Sequence, residues 1–290
     1  MKKNFYYLSL LLGLVLGMTM FTACGGDDDN GGGASGGASG GGAGGFTPGK
    51  FMGPKRVFGD NLLSSYGNNN KGYELTYNSD DFVTSIKPYS IDANNQKQYS
   101  GNDYEVTYSD KQVIVTRHIS GGKQQTYTYT IGNNGFVESY VDVADGNDEV
   151  KMEYDSEGHI TKITSTPKNE PHIWNGTLTW QNGNVIKTYD SDTGSYTQNY
   201  TSINNVAGIY VRAAIGGDLD DYYDEMLYYM GLLGKGTANL VSSSSRSEGS
   251  STYENAWTLD DAGRPTKCVT TKTGSGSGTP TTSTYFWTYR

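Results

Sequence analysis

One unit recurs through this chain and limits what it can become: an alternating strand of aromatic or β-branched residues, a short turn of Asn, Asp and Gly, and a second alternating strand. The first copy runs Tyr73-Glu-Leu-Thr-Tyr77, turns at 78–81, and returns as Phe82-Val-Thr-Ser-Ile86. The pattern comes back in residues 104–108 with 113–117, 127–131 with 136–140, 150–154 with 160–163, and 177–180 with 185–189. After an interruption, Trp257-Thr-Leu259 enters a turn at 260–263. Side chains two apart share a face of a strand, and Asx/Gly clusters between such runs mark hairpins. The pattern therefore predicts an all-β fold, an antiparallel meander of repeated hairpins with about 12 to 15 short strands, in a curved sheet or open barrel. The spacing between copies is irregular, which fits a drifted array better than a strict solenoid. We expect Leu178 with Trp180, and Trp257 with Leu259, on an apolar face, and Thr177, Thr179, Asn255 and Thr258 on the wet one.

One segment breaks the period. Leu219, Tyr222, Tyr223, Met226, Leu227, Met230 and Leu233 recur at helical spacing, with Asp218 placed to cap the start and Gly234 to stop the run. This predicts one amphipathic helix over 218–233, packed on the apolar face of the sheet. The Ser/Gly/Thr tracts at 242–251 and 271–282 carry few apolar side chains and read as loops.

The start of the chain is an address. Lys2 and Lys3 precede an uncharged, leucine-rich run from Leu8 to Phe21, too short to span a bilayer and followed by small residues before Cys24. Phe21-Thr22-Ala23-Cys24 resembles a bacterial lipobox, which implies a lipoprotein signal peptide over 1–23 and lipidation of Cys24. Residues 24–49 then form an acidic, Gly-rich tether, beginning Gly25-Gly26-Asp27-Asp28-Asp29, and residues 50–290 form a single domain. The acidic cluster after Cys24 resembles the surface-export signal of Bacteroidota lipoproteins. That implies an outer-membrane, lipid-anchored protein facing the cell exterior, with periplasmic display as the other arrangement.

A net charge of −9 argues against the basic footprint of a nucleic-acid binder. His118, His159 and His172 lie in separate units, no Gly-x-Ser-x-Gly elbow occurs, and Cys268 is a lone strand thiol. Asp190-x-Asp192-x-Gly194 begins like a calcium loop but has Thr201 where the distal Glu would stand, so it reads as a turn. We expect no metal, no cofactor and no catalytic residues. Trp174 differs from the other aromatics: it follows the proline-bearing connection Thr166-Pro-Lys-Asn-Glu-Pro-His-Ile, where an indole could stack on a sugar or fold back over the sheet edge.

Tyr154-Asp155-Ser-Glu-Gly158-His-Ile160 is similar to the YD repeat of RHS-type proteins, and Leu259-Asp260-Asp-Ala-Gly263 is a partial copy. The lipobox, the acidic and glycine-rich tether, the YD-like hairpins and the Gly231-Leu-Leu-Gly-Lys235 segment together resemble a family of gut Bacteroidota lipoproteins of unknown function. That resemblance implies an extracytoplasmic β-rich domain and carries no catalytic residues. The functional expectation is a membrane-anchored, non-catalytic binding or structural domain whose partner is a glycan or an envelope protein. A glycan-binding accessory and a polysaccharide hydrolase are the alternatives.

Overall fold

The computed structural model describes residues 51–143, 147–168, 171–210, 224–247, 251–274 and 279–290. The alternating segments become strands β1 (Leu63–Asn68), β2 (Lys71–Tyr77), β3 (Val83–Ile91), β4 (Lys97–Tyr99), β5 (Tyr104–Tyr108), β6 (Gln112–Ile119), β7 (Lys123–Ile131), β8 (Val137–Asp142) and β9 (Asp148–Tyr154). The second half supplies β10 (Ile160–Thr166), β11 (Trp174–Gln181), β12 (Asn184–Asp190), β13 (Gly194–Asn204), β14 (Asn239–Arg246), β15 (Thr252–Leu259), β16 (Pro265–Thr273) and β17 (Thr281–Tyr289). Two short helices join them, α1 (Lys55–Phe58) and α2 (Glu225–Tyr229).

Apart from β4 and β5, each strand pairs antiparallel with its sequence neighbours, and β17 then pairs with β1, Trp287 opposite Tyr66. The meander thereby closes. Strands β4 and β5 both lie on β3, one after the other, so seventeen strands make a barrel of sixteen staves. Closure removes the free edges that an open sheet would expose.

The tight turns at one end share a single construction. In 78–82, 132–136, 155–159 and 260–264 the fourth residue donates its amide to the carbonyl of the first, and the amide of the first donates to the carbonyl of the fifth. The fourth position has positive φ: Asp81 (62°), Gly135 (78°), Gly158 (91°) and Gly263 (77°). This is the three-residue hairpin loop with a bulge, which needs a left-handed residue there. Asn78, Asp155 and Asp260 each accept two further turn amides on Oδ1, an Asx turn laid over the hairpin.

Just before these turns, aromatic side chains tie the staves together. Tyr77, Tyr108, Tyr154, Tyr200 and Tyr289 donate their hydroxyls, and Trp180 and Trp257 their indole N–H, to a carbonyl of the preceding stave at 2.6–2.8 Å. The acceptors are Leu63, Val83, Val137, Val185, Pro265, Ile160 and Val241. Only β7 ends differently among these staves, in Ile131. A ring that fills the barrel and a polar tip that satisfies a strand-end carbonyl explain why Tyr and Trp recur at that position.

Alternation decides which side is wet. Val113, Val115, Val150, Met152, Ile163, Tyr66 and Trp287 point inward and are buried. Their neighbours point outward: Thr126, Thr128 and Thr130 on β7, Glu149, Lys151 and Glu153 on β9, Thr282, Thr284 and Thr288 on β17. The period also corrects one expectation. Asn255 lies two residues from Trp257 and so shares its inward face, where its Oδ1 accepts from the Thr270 hydroxyl at 2.7 Å. The serine tract is likewise not a loop: residues 239–246 form β14, paired with β13 and β15, and Ser244 is 1% exposed. Neighbouring strands on both sides outweigh the low β propensity of serine.

Of the helix expected over 218–233, residues 218–223 lie outside the described residues, and only Glu225–Tyr229 of the rest is helical. Asp224 caps it, accepting from the Met226 amide at 2.7 Å. The stop comes three residues before Gly234. Gly231, at φ 76°, donates to the Tyr228 carbonyl and Leu232 donates to Leu227, the paired bonds of a Schellman ending. Leu227, Tyr228, Met230, Leu232 and Leu233 are completely buried inside the barrel, each contributing about 1.5–3 kcal/mol of apolar burial. Of the expected stripe, Leu227, Met230 and Leu233 are buried and Met226 is half-buried, but Met230 and Leu233 follow the helix, which is one turn long, and Leu219, Tyr222 and Tyr223 lie outside the described residues. Val137 donates its amide to Leu232, Lys235 to Gly158 and Ala238 to Gly183, which fastens this segment to the hairpin end. Phe58 closes the same end against Tyr228, with ring centroids 5.4 Å apart.

Candidate functional site

A pocket of about 210 Å³ lies inside the barrel beyond the capped end of α2. Its floor is Asp224, Met226 and Leu227, and its wall is Tyr104 from β5, Tyr127 and Tyr129 from β7, and Tyr140 and Asp142 from β8. Strand alternation places Tyr127 and Tyr129 on one face, and register brings Tyr129 opposite Tyr140, their rings 5.2 Å apart. Arg117 on β6 stands beside this wall, its guanidinium 5.8 Å from the Tyr104 ring centre.

Burial governs the acidity of these phenols. It raises the Tyr129 hydroxyl well above the ordinary tyrosine value, with the nearby Asp224 charge acting in the same direction. Tyr104 and Tyr127 are also raised by burial, against which the Arg117 charge works. All three stay protonated at neutral pH and present neutral hydroxyls to the pocket. Tyr129 is 4% exposed, and its hydroxyl makes no hydrogen bond to the described residues. The contrast with the stave-tying tyrosines is chemical: their hydroxyls are committed to backbone carbonyls, and this one is not.

The residues singled out in the sequence fall elsewhere. Trp174 opens β11 opposite Ser165 and faces the barrel interior, 5% exposed. The histidines stay apart, each beside a local acid: His118 3.4 Å from Glu105, His159 3.0 Å from Asp155, His172 3.0 Å from Asp192. Asp190 accepts the Asp192 and Thr193 amides and so serves its turn. No cluster of metal-ligating side chains occurs among the described residues. Cys268 is buried beneath the barrel wall, and burial pushes its thiol up to about 11, away from the thiolate a nucleophile needs. Cys24 lies outside the described residues. Sequence reading missed the pocket because Tyr104, Tyr127 and Asp142 carry the same alternation signal as any inward residue; only closure sets them around one space.

These features define a class: a closed β-barrel with an apolar, plugged interior, a polar outer face and a tyrosine-walled pocket. The chain belongs to the family described as a domain of unknown function (DUF4595) with porin-like fold, which residues 75–267 match. Its fold is similar to that of a porin-like protein from Bacteroides uniformis, with TM-score 0.63 and 18% identity over 79% of this chain and 96% of that one. A porin-like protein from Bacteroides vulgatus aligns with TM-score 0.48 and 14% identity, over 79% of this chain and 99% of that one. No curated protein matches the chain.

Proposed function

We propose that this protein is a lipid-anchored capture domain: acylated at Cys24, displayed at the outer membrane on the tether of residues 25–49, and binding its ligand without catalysis in the tyrosine-walled pocket. One observation carries the reading. A membrane-spanning barrel needs an outward apolar band about 25 Å tall around a polar interior, and this barrel is patterned the other way round. Its outer face carries rows of Thr, Ser, Lys and Glu, with ion pairs such as Lys162–Glu153 at 3.2 Å and Lys97–Glu74 at 2.6 Å. The large apolar side chains exposed among the described residues, including Tyr99, Val141, Ile173, Tyr189 and Phe286, are scattered over separate strands and turns. The interior is packed with Leu, Val, Met and aromatic side chains at the hairpin end.

A porin-like shape with this patterning suits water, so the membrane attachment falls to the lipid. More than one acyl chain is needed for stable anchoring, which a processed lipoprotein cysteine supplies. The test is labelled palmitate and cell fractionation with wild type and Cys24→Ala. Wild type should take up label and pellet with membranes, and Cys24→Ala should lose both properties. A Cys24→Ala chain freed of residues 1–23 that stays in carbonate-washed membranes would mean that the barrel itself is inserted.

A further inference from the structure

We propose that the inner wall of the barrel on β14, β15 and β16, at the end away from the tight turns, holds an oxyanion group between Arg246 and Lys272. A carboxylate, a sulfate and a phosphate share that chemistry. The site is separate from the tyrosine-walled pocket, whose strands β5, β7 and β8 lie across the barrel. Alternation sets the facing of each side chain. Arg246 comes two residues after the buried Ser244 and stands opposite Tyr196, which is also buried. Lys272 comes two residues after the buried Thr270 and stands opposite Tyr253, itself two residues before the inward Asn255. Arg246 and Lys272 therefore flank Tyr253 on the interior face. Strand spacing and rise put their Cα atoms about 10–12 Å apart, close enough for two long side chains to meet on one group.

Three observations select an anion. The first is local charge. The chain has 31 acidic against 22 basic residues, yet strands β13 to β17 contain a single carboxylate, Glu254, which is exposed on the outer face. The second is that neither cation is neutralised. Arg264 and Arg290 each hold an aspartate, at 2.8 and 2.7 Å, whereas Arg246 makes no ion pair with the described residues. The contact of the Lys272 ammonium is the Tyr253 ring, 5.5 Å from its centre. Asp190, on β12, turns its carboxylate to the Asp192 and Thr193 amides. The third is the Arg246 Nε, buried without a hydrogen-bond partner. A guanidinium N–H taken out of water and given no acceptor is unfavourable, and native proteins keep such donors where something else satisfies them. The guanidinium fork matches the paired oxygens of an oxyanion, and the Lys272 ammonium adds a point charge from the other side. An organic cation would meet two like charges there, and a neutral polyol would answer neither.

The experiment is calorimetric titration of the full chain in detergent with sulfate, phosphate, methyl glucuronide and methyl glucoside, at low and at high sodium chloride. We expect at least one of the three anions to saturate at one site, to weaken at high salt, and to be preferred to the neutral glucoside. Saturation by methyl glucuronide above sulfate and phosphate would assign the oxyanion to a carboxylate on a sugar; the reverse order would assign it to the free ion. Arg246→Gln should weaken binding about tenfold or more while Tm holds, because its Nε is unpaired in the fold. Arg246→Lys, which keeps the charge and loses the fork, should recover part of that loss. Lys272→Gln should weaken binding as well. Lys267→Gln, which removes a cation from the outer face of the same strand, should leave the affinity unchanged. Silence from all three anions, methyl glucoside binding as tightly as methyl glucuronide, or an affinity indifferent to both Arg246→Gln and Lys272→Gln would overturn the proposal.

Discussion

The indole N–H of Trp287 donates to the hydroxyl of Tyr229 at 2.8 Å, so the last strand of the barrel is bonded to the helix that fills it. Both residues are buried, at 4% and 2% exposure, and Tyr66, on the strand where the barrel closes, packs its ring against that of Tyr229 with centroids 4.6 Å apart and the planes tilted by 48°. The Tyr229 hydroxyl also donates to the Tyr210 carbonyl and accepts from its amide. Closure of the sheet and filling of its interior therefore meet at one phenol.

Removing that hydroxyl should be expensive. Tyr229→Phe keeps the ring and leaves the Trp287 indole and the Tyr210 backbone without their partner. We predict a loss of about 2–4 kcal/mol, seen as a lower urea midpoint at an unchanged slope. Tyr229→Phe and Trp287→Phe together should lose less than the sum of the two.

The helix stop is a second sensitive point. Gly231 has φ 76°, and a Cβ there would lie 2.6 Å from the Cα of Pro54. Gly231→Ala combines backbone strain with a clash against main chain that cannot turn aside, and should cost more than the roughly 1 kcal/mol of a left-handed alanine alone. Gly263→Ala, also left-handed at φ 77° but with open space around its Cβ position, should cost only that smaller amount. Thermal melts of the two variants separate clash from strain.

The Asx turns make stability depend on pH in a definite direction. Hydrogen bonds from the Arg264 backbone and side chain hold the Asp260 carboxyl below the usual carboxylate range, and the Lys55 ammonium does the same for Asp81. A carboxyl whose folded value is depressed adds stability above its unfolded value, near 3.9, and loses it as the pH falls through the folded value. Asp260→Ala should therefore melt below wild type at pH 7, and the gap should narrow as the pH drops below about 4. A gap that stays constant from pH 7 to pH 2 would mean that the charge of Asp260 does not matter.

The outer face should accept charge. Thr128 is exposed on β7 and faces away from the packed interior. In a barrel surrounded by water, Thr128→Lys should change stability by no more than about 0.5 kcal/mol, whereas a lysine at the middle of a lipid-facing strand costs about 2–4 kcal/mol. Equilibrium denaturation decides between these values.

Much of this architecture is legible locally. The turns at 78–81, 132–135, 155–158 and 260–263 fall where Asx and Gly break the alternation, because hairpin geometry is set by four or five adjacent residues. The likeness of Tyr154-Asp155-Ser-Glu-Gly158 to its neighbours also has a local cause: a stave-tying hydroxyl, an Asx cap and a left-handed glycine in fixed order. Closure is different. Tyr66 and Trp287 meet through the register of every stave between them, and nothing near either residue announces it. The apolar spacing continues through Met230 and Leu233 and so extends the expected helix past its end, while Gly231 already turns the chain. The pocket stayed hidden for the same reason as closure, since its tyrosines look like core until the barrel shows which of their hydroxyls are tied.

The central claim is that this porin-like barrel stands in water and is held to the membrane from outside itself. The direct measurement is liposome flotation of residues 24–290 carrying Cys24→Ala, with dye release from the same vesicles. The account predicts that the protein stays at the bottom of the gradient and that the vesicles keep their dye. Flotation of the unlipidated chain with release of the dye would show a barrel that inserts and conducts, and would contradict the account.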